Sequence, residues 1–271
     1  MHRALQRHVT GRYLLNLAAG DLDVHESHVA NYRRLGRPGR ALEFGAGGHL
    51  LSALMLSAAG AREVLAVDIE RLATVERVNH VIRHLARLRV PGHWTEVTDL
   101  GEDLARRHRI RYLAPADCRA TSLPEGSVDF VCSTSTLEHI TEPDIAAILR
   151  ECVRLSSPVA LFSFSIDYRD HYAGFDRSIT PYNFYRYDDR QWSKYSPPQH
   201  HQNRLRHCDY ERLFGALGLE TIAAERHSRG QPGALADIPL SSRFRRYALD
   251  DLLTHDGRFL LAPWRRGAGD S

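Results

Sequence analysis

From Arg40 onward, short apolar runs of strand length alternate with segments of helical periodicity. Arg40–Phe44, Glu63–Asp68, Ile110–Ala114, Val128–Ser133, Val159–Ser165, Leu219–Glu225 and Arg258–Ala262 read as strands. Leu50–Ala59, Val75–Leu88, Ile145–Leu155 and Asp209–Leu217 read as helices, with Gly60 and Gly218 as stops. Ahead of them, Leu5–Ala19 and Asp21–Leu35 carry two more helical patterns, which Gly36-Arg37-Pro38-Gly39 interrupts. Strands alternating with helices predict an α/β fold, doubly wound around a mostly parallel seven-stranded sheet. Ligands of such sheets bind outside the carboxyl ends of the strands.

Two stretches break this rhythm. Residues 166–207, between the fifth strand and its helix, are dense in Tyr, Asp, Arg and His. Residues 228–251 lie between the last two strands. Loops of this length are functional or disordered, and the aromatic content of the first predicts order. The chain therefore reads as an N-terminal helical cap over 1–39 and one domain over 40–271, with insertions at about 166–207 and 228–251.

Composition narrows the functional classes. A chain of 271 residues with net charge +3 has no bias toward nucleic acid. All of its 36 basic residues except Lys194 are arginine, so an anion site would be built from guanidinium forks. No apolar run reaches membrane-spanning length, and Met1–His8 does not resemble a signal peptide. The four cysteines show no CxxC spacing, which predicts free thiols and a cytoplasmic protein.

The candidate chemistry begins at Glu43-Phe44-Gly45-Ala46-Gly47, where a strand enters a glycine turn. Glycines let a backbone approach a ligand closely, and Asp68, ending the next strand, can accept hydrogen bonds from a ribose diol. These parts have the spacing of a Rossmann-like nucleoside crevice. Leu50 stands where a dinucleotide fingerprint would place its third glycine, which weakens a dehydrogenase reading. Asp117 follows the third strand and can accept from an adenine amino group, beside the backbone N–H of Cys118.

With Leu123–Val131 and Leu137-Glu138-His139-Ile140, these motifs make residues 40–165 resemble class I S-adenosylmethionine-dependent methyltransferases. The resemblance implies S-adenosylmethionine as cofactor and S-adenosylhomocysteine as product. It implies that Glu43, Gly45, Ala46 and Gly47 border the methionine part, and that Asp68 holds the ribose. Ile69, Asp117 and Cys118 would hold the adenine, and Ser133 would line the floor near the sulfonium. Ile166–His171 and Asn203-Arg204-Leu205-Arg206 also look similar to a bacterial methyltransferase subgroup associated with glycan and secondary-metabolite gene sets. Phe164 stands where that subgroup often carries a histidine, so no catalytic role is carried over to 163–165.

On the acceptor side, Asp167, Asp170 and His171 can share a site, in which a carboxylate orients a neutral imidazole to take a hydroxyl proton. His139 and His201 are further catalytic candidates. Arg169, Asn203, Arg204, Arg206 and Tyr182 are candidates for binding the acceptor, by guanidinium forks or by stacking. The aromatic run Tyr182–Trp192 fits a stacking platform or a lid packed on itself. A divalent-ion site is a third option, since Asp167, Asp170, His171, His200, His201 and His207 offer enough ligands, but their spacing matches no recognised metal motif and no metal ligand is assigned.

The first reading is thus methyl transfer to a small-molecule hydroxyl on a sugar, glycan precursor or secondary metabolite. Alternatives are a nucleotide-dependent oxidoreductase and a non-catalytic cofactor-binding module. No Asn-Pro-Pro-Tyr motif ends the fourth strand and there is no lysine-rich arm, so nucleic acid is not the expected acceptor. Neither is a membrane partner expected. The N-terminal helices are left either covering the cofactor or making a homodimer contact.

Overall fold

A computed structural model of the chain describes residues 22–228 and 230–264. The helix expected over Leu5–Ala19 lies outside the described residues. Seven strands form one sheet: β1 (Arg40–Phe44), β2 (Glu63–Val67), β3 (Ile110–Leu113), β4 (Val128–Thr134), β5 (Ser156–Asp167), β6 (Leu219–Ser228) and β7 (Thr254–Pro263). Their order is β3-β2-β1-β4-β5-β7-β6. β1 pairs in parallel with β2 and β4, β2 pairs in parallel with β3, and β6 and β7 are antiparallel. The order reverses direction at β1, where the glycine turn leaves the sheet.

The helices are α1 (Asp23–Arg33), α2 (Leu51–Ala58), α3 (Val75–Arg87), α4 (Glu102–His108), α5 (Glu142–Leu155), α6 (Asp189–Trp192), α7 (His207–Ala216) and α8 (Leu249–Leu253). α3 shows how sequence sets an element. Val78, Val81, Ile82 and Leu85 fall on one face and are buried, and Thr74 caps the start by accepting from the Arg77 N–H at 3.3 Å. Its end turns through Arg89 at φ 55°, with the Val90 N–H bonded to the Leu85 carbonyl at 3.1 Å. α2 is buried along nearly its whole length, as its lack of charged residues requires. α4 was not expected. Only Leu104 of its apolar residues has a strong burial signal, and Asp103, buried beside it, instead takes the Thr98 N–H at 2.8 Å.

By contacts the chain divides into two compact units, 22–134 with 148–163, and 135–147 with 164–264. The first holds α1, β1–β4 and α2–α4 around an aliphatic core that includes Leu54, Leu56, Val64, Val81, Leu104 and Phe130. α1 is anchored there by Tyr32, whose ring meets Phe130 edge-on at 5.5 Å. The second has an aromatic core that draws on both insertions. Tyr182, Phe184, Tyr185 and Trp192 come from the first insertion, and Ile238 and Phe244 from the second. Tyr185 and Phe244 stand 4.5 Å apart between ring centroids. The two irregular stretches are therefore one packed body. This settles the aromatic run as a core that packs on itself.

Candidate functional site

In the first unit, β1 and β2 deliver their carboxyl ends to a single turn. Gly45 and Gly47 both adopt positive φ, 69° and 65°, which side-chain-bearing residues rarely take. The Ala46 N–H bonds the Val67 carbonyl at 3.2 Å, stitching the turn to β2. Asp68 is buried, and its Oδ2 accepts the Gly47 N–H at 2.8 Å while Oδ1 accepts the Glu70 N–H at 3.0 Å. Leu50, at φ 52°, occupies a left-handed position despite its branched side chain. It is fully buried, and its packing compensates for the strain.

Glu43 is 3% exposed, and its Oε2 has no hydrogen-bond partner. Burial pushes its carboxyl up to about 8; the Ser52 hydroxyl and Ala53 N–H only partly counter this, and Asp68 adds to it. A buried carboxyl oxygen without a partner is costly unless a ligand supplies one. The glycine turn, the ready Asp68 acceptor and this orphaned oxygen fit a ligand with a diol and a cationic amine.

The adenine-side candidates are also brought close. The Ala116 N–H bonds the Asp68 carbonyl at 2.8 Å, which holds the Asp117 segment against the end of β2. Asp117 itself is forked by Arg119, with Nη2 to Oδ2 at 2.6 Å. Its carboxylate is therefore shared with the chain's own guanidinium. Cys118 is buried, Ile69 is 65% exposed, and Ser133 donates its hydroxyl to the Phe44 carbonyl at 3.0 Å.

A buried polar chain behind the turn was not read from sequence. Ser52 Oγ lies 2.8 Å from His25 Nδ1 and 3.3 Å from Thr134 Oγ1. Thr134 Oγ1 lies 3.0 Å from His28 Nε2, and His28 Nδ1 lies 2.7 Å from Ser163 Oγ. Asn31 also donates to Ser163 Oγ at 2.9 Å. Burial lowers His25 to about 4, so it is neutral at pH 7. The only legible signal was the polar spacing His25, His28, Asn31, Tyr32 on one face of a short helix.

The second unit holds the acceptor-side candidates. Arg169 forks Asp167 at 2.9 and 2.7 Å, and His171 Nε2 stands 3.6 Å from Asp167 Oδ2. His139 and His171 stack as tilted rings, 4.8 Å between centroids. His139 Nδ1 is 3.0 Å from the His201 carbonyl, and burial lowers its pKa to about 4, with His171 adding to the shift. Glu138, close to both in the fold, is 2% exposed with Oε2 unpartnered, and burial holds its carboxyl well above the usual range. The structure thus brings His139, Asp167, Arg169 and His171 together and adds Glu138. It does not place the Asp170 carboxylate on His171, because that group caps the next turn through the Tyr172 N–H at 2.9 Å. His201 contributes its backbone carbonyl to His139, while its ring faces Ser196 at 3.4 Å.

The remaining candidates serve the fold. Asn203 Nδ2 donates to the Leu137 and Ile140 carbonyls, each at 2.8 Å. Arg204 donates to the Phe184 and Tyr187 carbonyls and to Asp189. Arg206 is fully buried and donates to the carbonyls of Tyr168, Asp251 and Thr254. Tyr182 is 4% exposed, with its hydroxyl 2.6 Å from His255 Nε2. These four side chains are committed to partners within the second unit. A cavity of about 300 Å³ in this unit is lined by Thr141, Trp192, Ser196, His201 and Arg204. Neither Glu138 nor His171 lines it, so the titratable cluster is a separate feature.

Among the described residues no helix is long and apolar enough to cross a membrane. The methyltransferase domain family model matches residues 24–224. No curated protein matches the sequence. Solved structures do. The 1,6-didemethyltoxoflavin-N1-methyltransferase of Burkholderia thailandensis, with its namesake compound and S-adenosylhomocysteine bound, is 15% identical at a TM-score of 0.54. That match covers 97% of this chain and 87% of the other. The geranyl diphosphate C-methyltransferase of Streptomyces coelicolor A3(2), with Mg2+, geranyl diphosphate and S-adenosylhomocysteine, is 11% identical at 0.51, covering 88% and 80%. The PH0226 protein of Pyrococcus horikoshii OT3 is 13% identical at 0.50, covering 90% of each chain. At these identities the likeness is one of fold.

Proposed function

The chain belongs to the methyltransferase domain family, and on that premise we propose that it moves a methyl group from S-adenosylmethionine to a hydroxyl of a small molecule. The observation that carries the donor half is the turn at Gly45–Gly47, with Asp68 fixed to the Gly47 N–H at 2.8 Å and the Glu43 oxygen left without a partner. Asp68 accepts from the ribose hydroxyls, and Glu43 meets the cationic amine of the methionine part. Ile69, exposed beside Asp68, covers the adenine, whose edge falls to Asp117 and the Cys118 N–H.

S-adenosylmethionine supplies an electrophilic methyl on a sulfonium sulfur, displaced in line by the acceptor oxygen. The chain therefore has to align and deprotonate, and alignment alone can contribute up to roughly 7–11 kcal/mol. In the second unit, His171 with Asp167 beside it, together with His139, are the groups that activate the hydroxyl. The acceptor class is a sugar, glycan precursor or secondary metabolite. The Burkholderia relative in fold, whose structure holds 1,6-didemethyltoxoflavin, supports a small molecule over a macromolecule. Asn203, Arg204, Arg206 and Tyr182 take no part in this reading.

Calorimetry and thermal shift test it. S-adenosylmethionine and S-adenosylhomocysteine bind and raise the melting temperature, and NADH does neither. Stabilisation by NADH alone refutes the reading and returns the chain to the oxidoreductases.

A further inference from the structure

Glu138, His139 and His171 each bring one ligand-capable atom to within 4.8 Å of the others. We propose that these three side chains bind a divalent transition-metal ion of the zinc or cobalt kind, which takes the acceptor's hydroxyl oxygen as a further ligand. The second clause rests on the methyl-transfer reading above; the ion site itself does not.

The argument is geometric. Glu138 is almost wholly buried, and its Oε2 has no partner. Its other oxygen receives the Asp167 N–H at a long 3.4 Å. Nε2 of His171 is likewise buried without a hydrogen bond, since Asp167 Oδ2 at 3.6 Å is out of range. Two unsatisfied polar atoms side by side are expensive, and one cation satisfies both. His139 is tuned for the same task. A carbonyl can only accept, so the 3.0 Å contact with the His201 carbonyl puts the proton on Nδ1 and leaves Nε2 with a lone pair. Ligating histidines characteristically give their second N–H to such a carbonyl.

The distances close. Tetrahedral donors that each stand about 2.0–2.2 Å from one ion lie roughly 3.3–3.6 Å apart. The observed limit of 4.8 Å contracts to this with side-chain movements of about an ångström. The backbone beneath is held. Asn203 ties the Leu137 and Ile140 carbonyls, and its own N–H bonds the Glu138 carbonyl at 2.9 Å. Asn203 is thus a positioning residue of the site. Two imidazoles and a carboxylate suit a borderline ion, whereas calcium and magnesium prefer all-oxygen sets. Three protein ligands leave a coordination position open, as catalytic zinc sites do. No sequence motif reveals the set, because His171 reaches the other two only through the fold.

With the acceptor's oxygen on the ion, its O–H bond weakens and the proton passes to water. The electron pair left on oxygen forms the O–C bond as the S–C bond breaks, with that bond's pair staying on sulfur. His139 and His171 then activate the hydroxyl through the ion they hold.

The test uses the full chain, stripped with dipicolinate and titrated with Zn2+ by calorimetry and with Co2+ by visible absorption. One ion binds per chain, Co2+ develops d–d bands, and Mg2+ binds more weakly than Zn2+. Glu138→Gln, His139→Ala and His171→Asn each weaken Zn2+ binding at least ~10-fold. His139 is the least buried of the three, so His139→Ala keeps the test open if a variant at buried Glu138 fails to fold. Absence of stoichiometric binding overturns the proposal, as do wild-type affinity in these variants or a preference for Mg2+. S-adenosylhomocysteine is titrated in parallel into stripped and loaded protein. Loss of its binding in both refutes the methyl-transfer reading and leaves the ion site to be judged by its own stoichiometry.

Discussion

The buried carboxyl of Glu43 makes the donor site a proton-releasing site. Its folded value, about 8, stands well above the ordinary carboxylate value of 4.5, first because burial removes water from it. At pH 7 such a group is only about one-tenth ionised. A ligand amine placed on its unpartnered Oε2 favours the carboxylate, so binding at pH 7 expels up to ~0.9 proton per ligand. Calorimetric titration of S-adenosylhomocysteine in buffers of different ionisation enthalpy reads this number as a slope. Glu43→Gln keeps the shape, brings the slope to zero, and weakens binding about 10–100-fold, as loss of a hydrogen bond to a charged group does. The same group shapes stability. A folded value raised above the unfolded one gives stability that is fully present below pH 4.5 and lost as pH rises toward 8, at up to ~1.4 kcal/mol per pH unit. The Gln variant is flatter across that window. A buffer-independent binding enthalpy in the wild type, or an unchanged slope in the variant, refutes the assignment of Glu43 to the cofactor's amine.

Asp68→Ala removes both the ribose acceptor and the anchor of the Gly47 N–H, so S-adenosylhomocysteine affinity falls at least ~10-fold by calorimetry; wild-type affinity there means that the diol contact is misassigned. Arg206→Ala strips donors from three buried carbonyls and lowers stability by more than ~3 kcal/mol in denaturant melts. Arg206→Lys does not rescue it, because one ammonium cannot reproduce the fork; a wild-type melt in the Lys variant refutes the structural role. Arg89→Gly, at an exposed helix end with φ 55°, stabilises by about 0.5–1 kcal/mol, and a lower melting temperature contradicts the strain argument.

The α/β rhythm was legible because its signals are local. β1 was read to its limits, and α3 to within one residue, because apolar period and caps coincide there. β5 and β7 extend beyond their apolar centres, since pairing with neighbours prolongs strands through residues that carry no pattern of their own. The glycine turn and Asp68 were legible for a related reason. A glycine turn and a strand-ending acid are properties of consecutive residues. The chain from Ser52 through Thr134 and His28 to Ser163 was not legible, because its members come from separate elements and meet only in the folded core.

The acceptor side shows why polar residues in a long insertion are a poor guide to ligands. Short 3-10 turns such as 171–174 and 183–186 leave carbonyls that regular helices and strands would satisfy among themselves. In the second unit those carbonyls need donors, and arginine offers five N–H groups on one side chain. Arg204 takes up the Phe184 and Tyr187 carbonyls, Arg206 those of Tyr168, Asp251 and Thr254, and Asn203 those flanking the Glu138 turn. The Asn-Arg-Leu-Arg run is therefore what an irregular body needs to bury its backbone. By the same accounting, the atoms that stand out are those the body leaves unsatisfied. In the second unit Glu138 Oε2 and His171 Nε2 are buried without partners, as are Nε2 of His201 and His207, and among the described residues Glu43 Oε2 is the other carboxyl oxygen so left, beside the glycine turn. The proposed donor and acceptor sites thus rest on the same kind of observation, a buried carboxyl oxygen for which the fold supplies no partner.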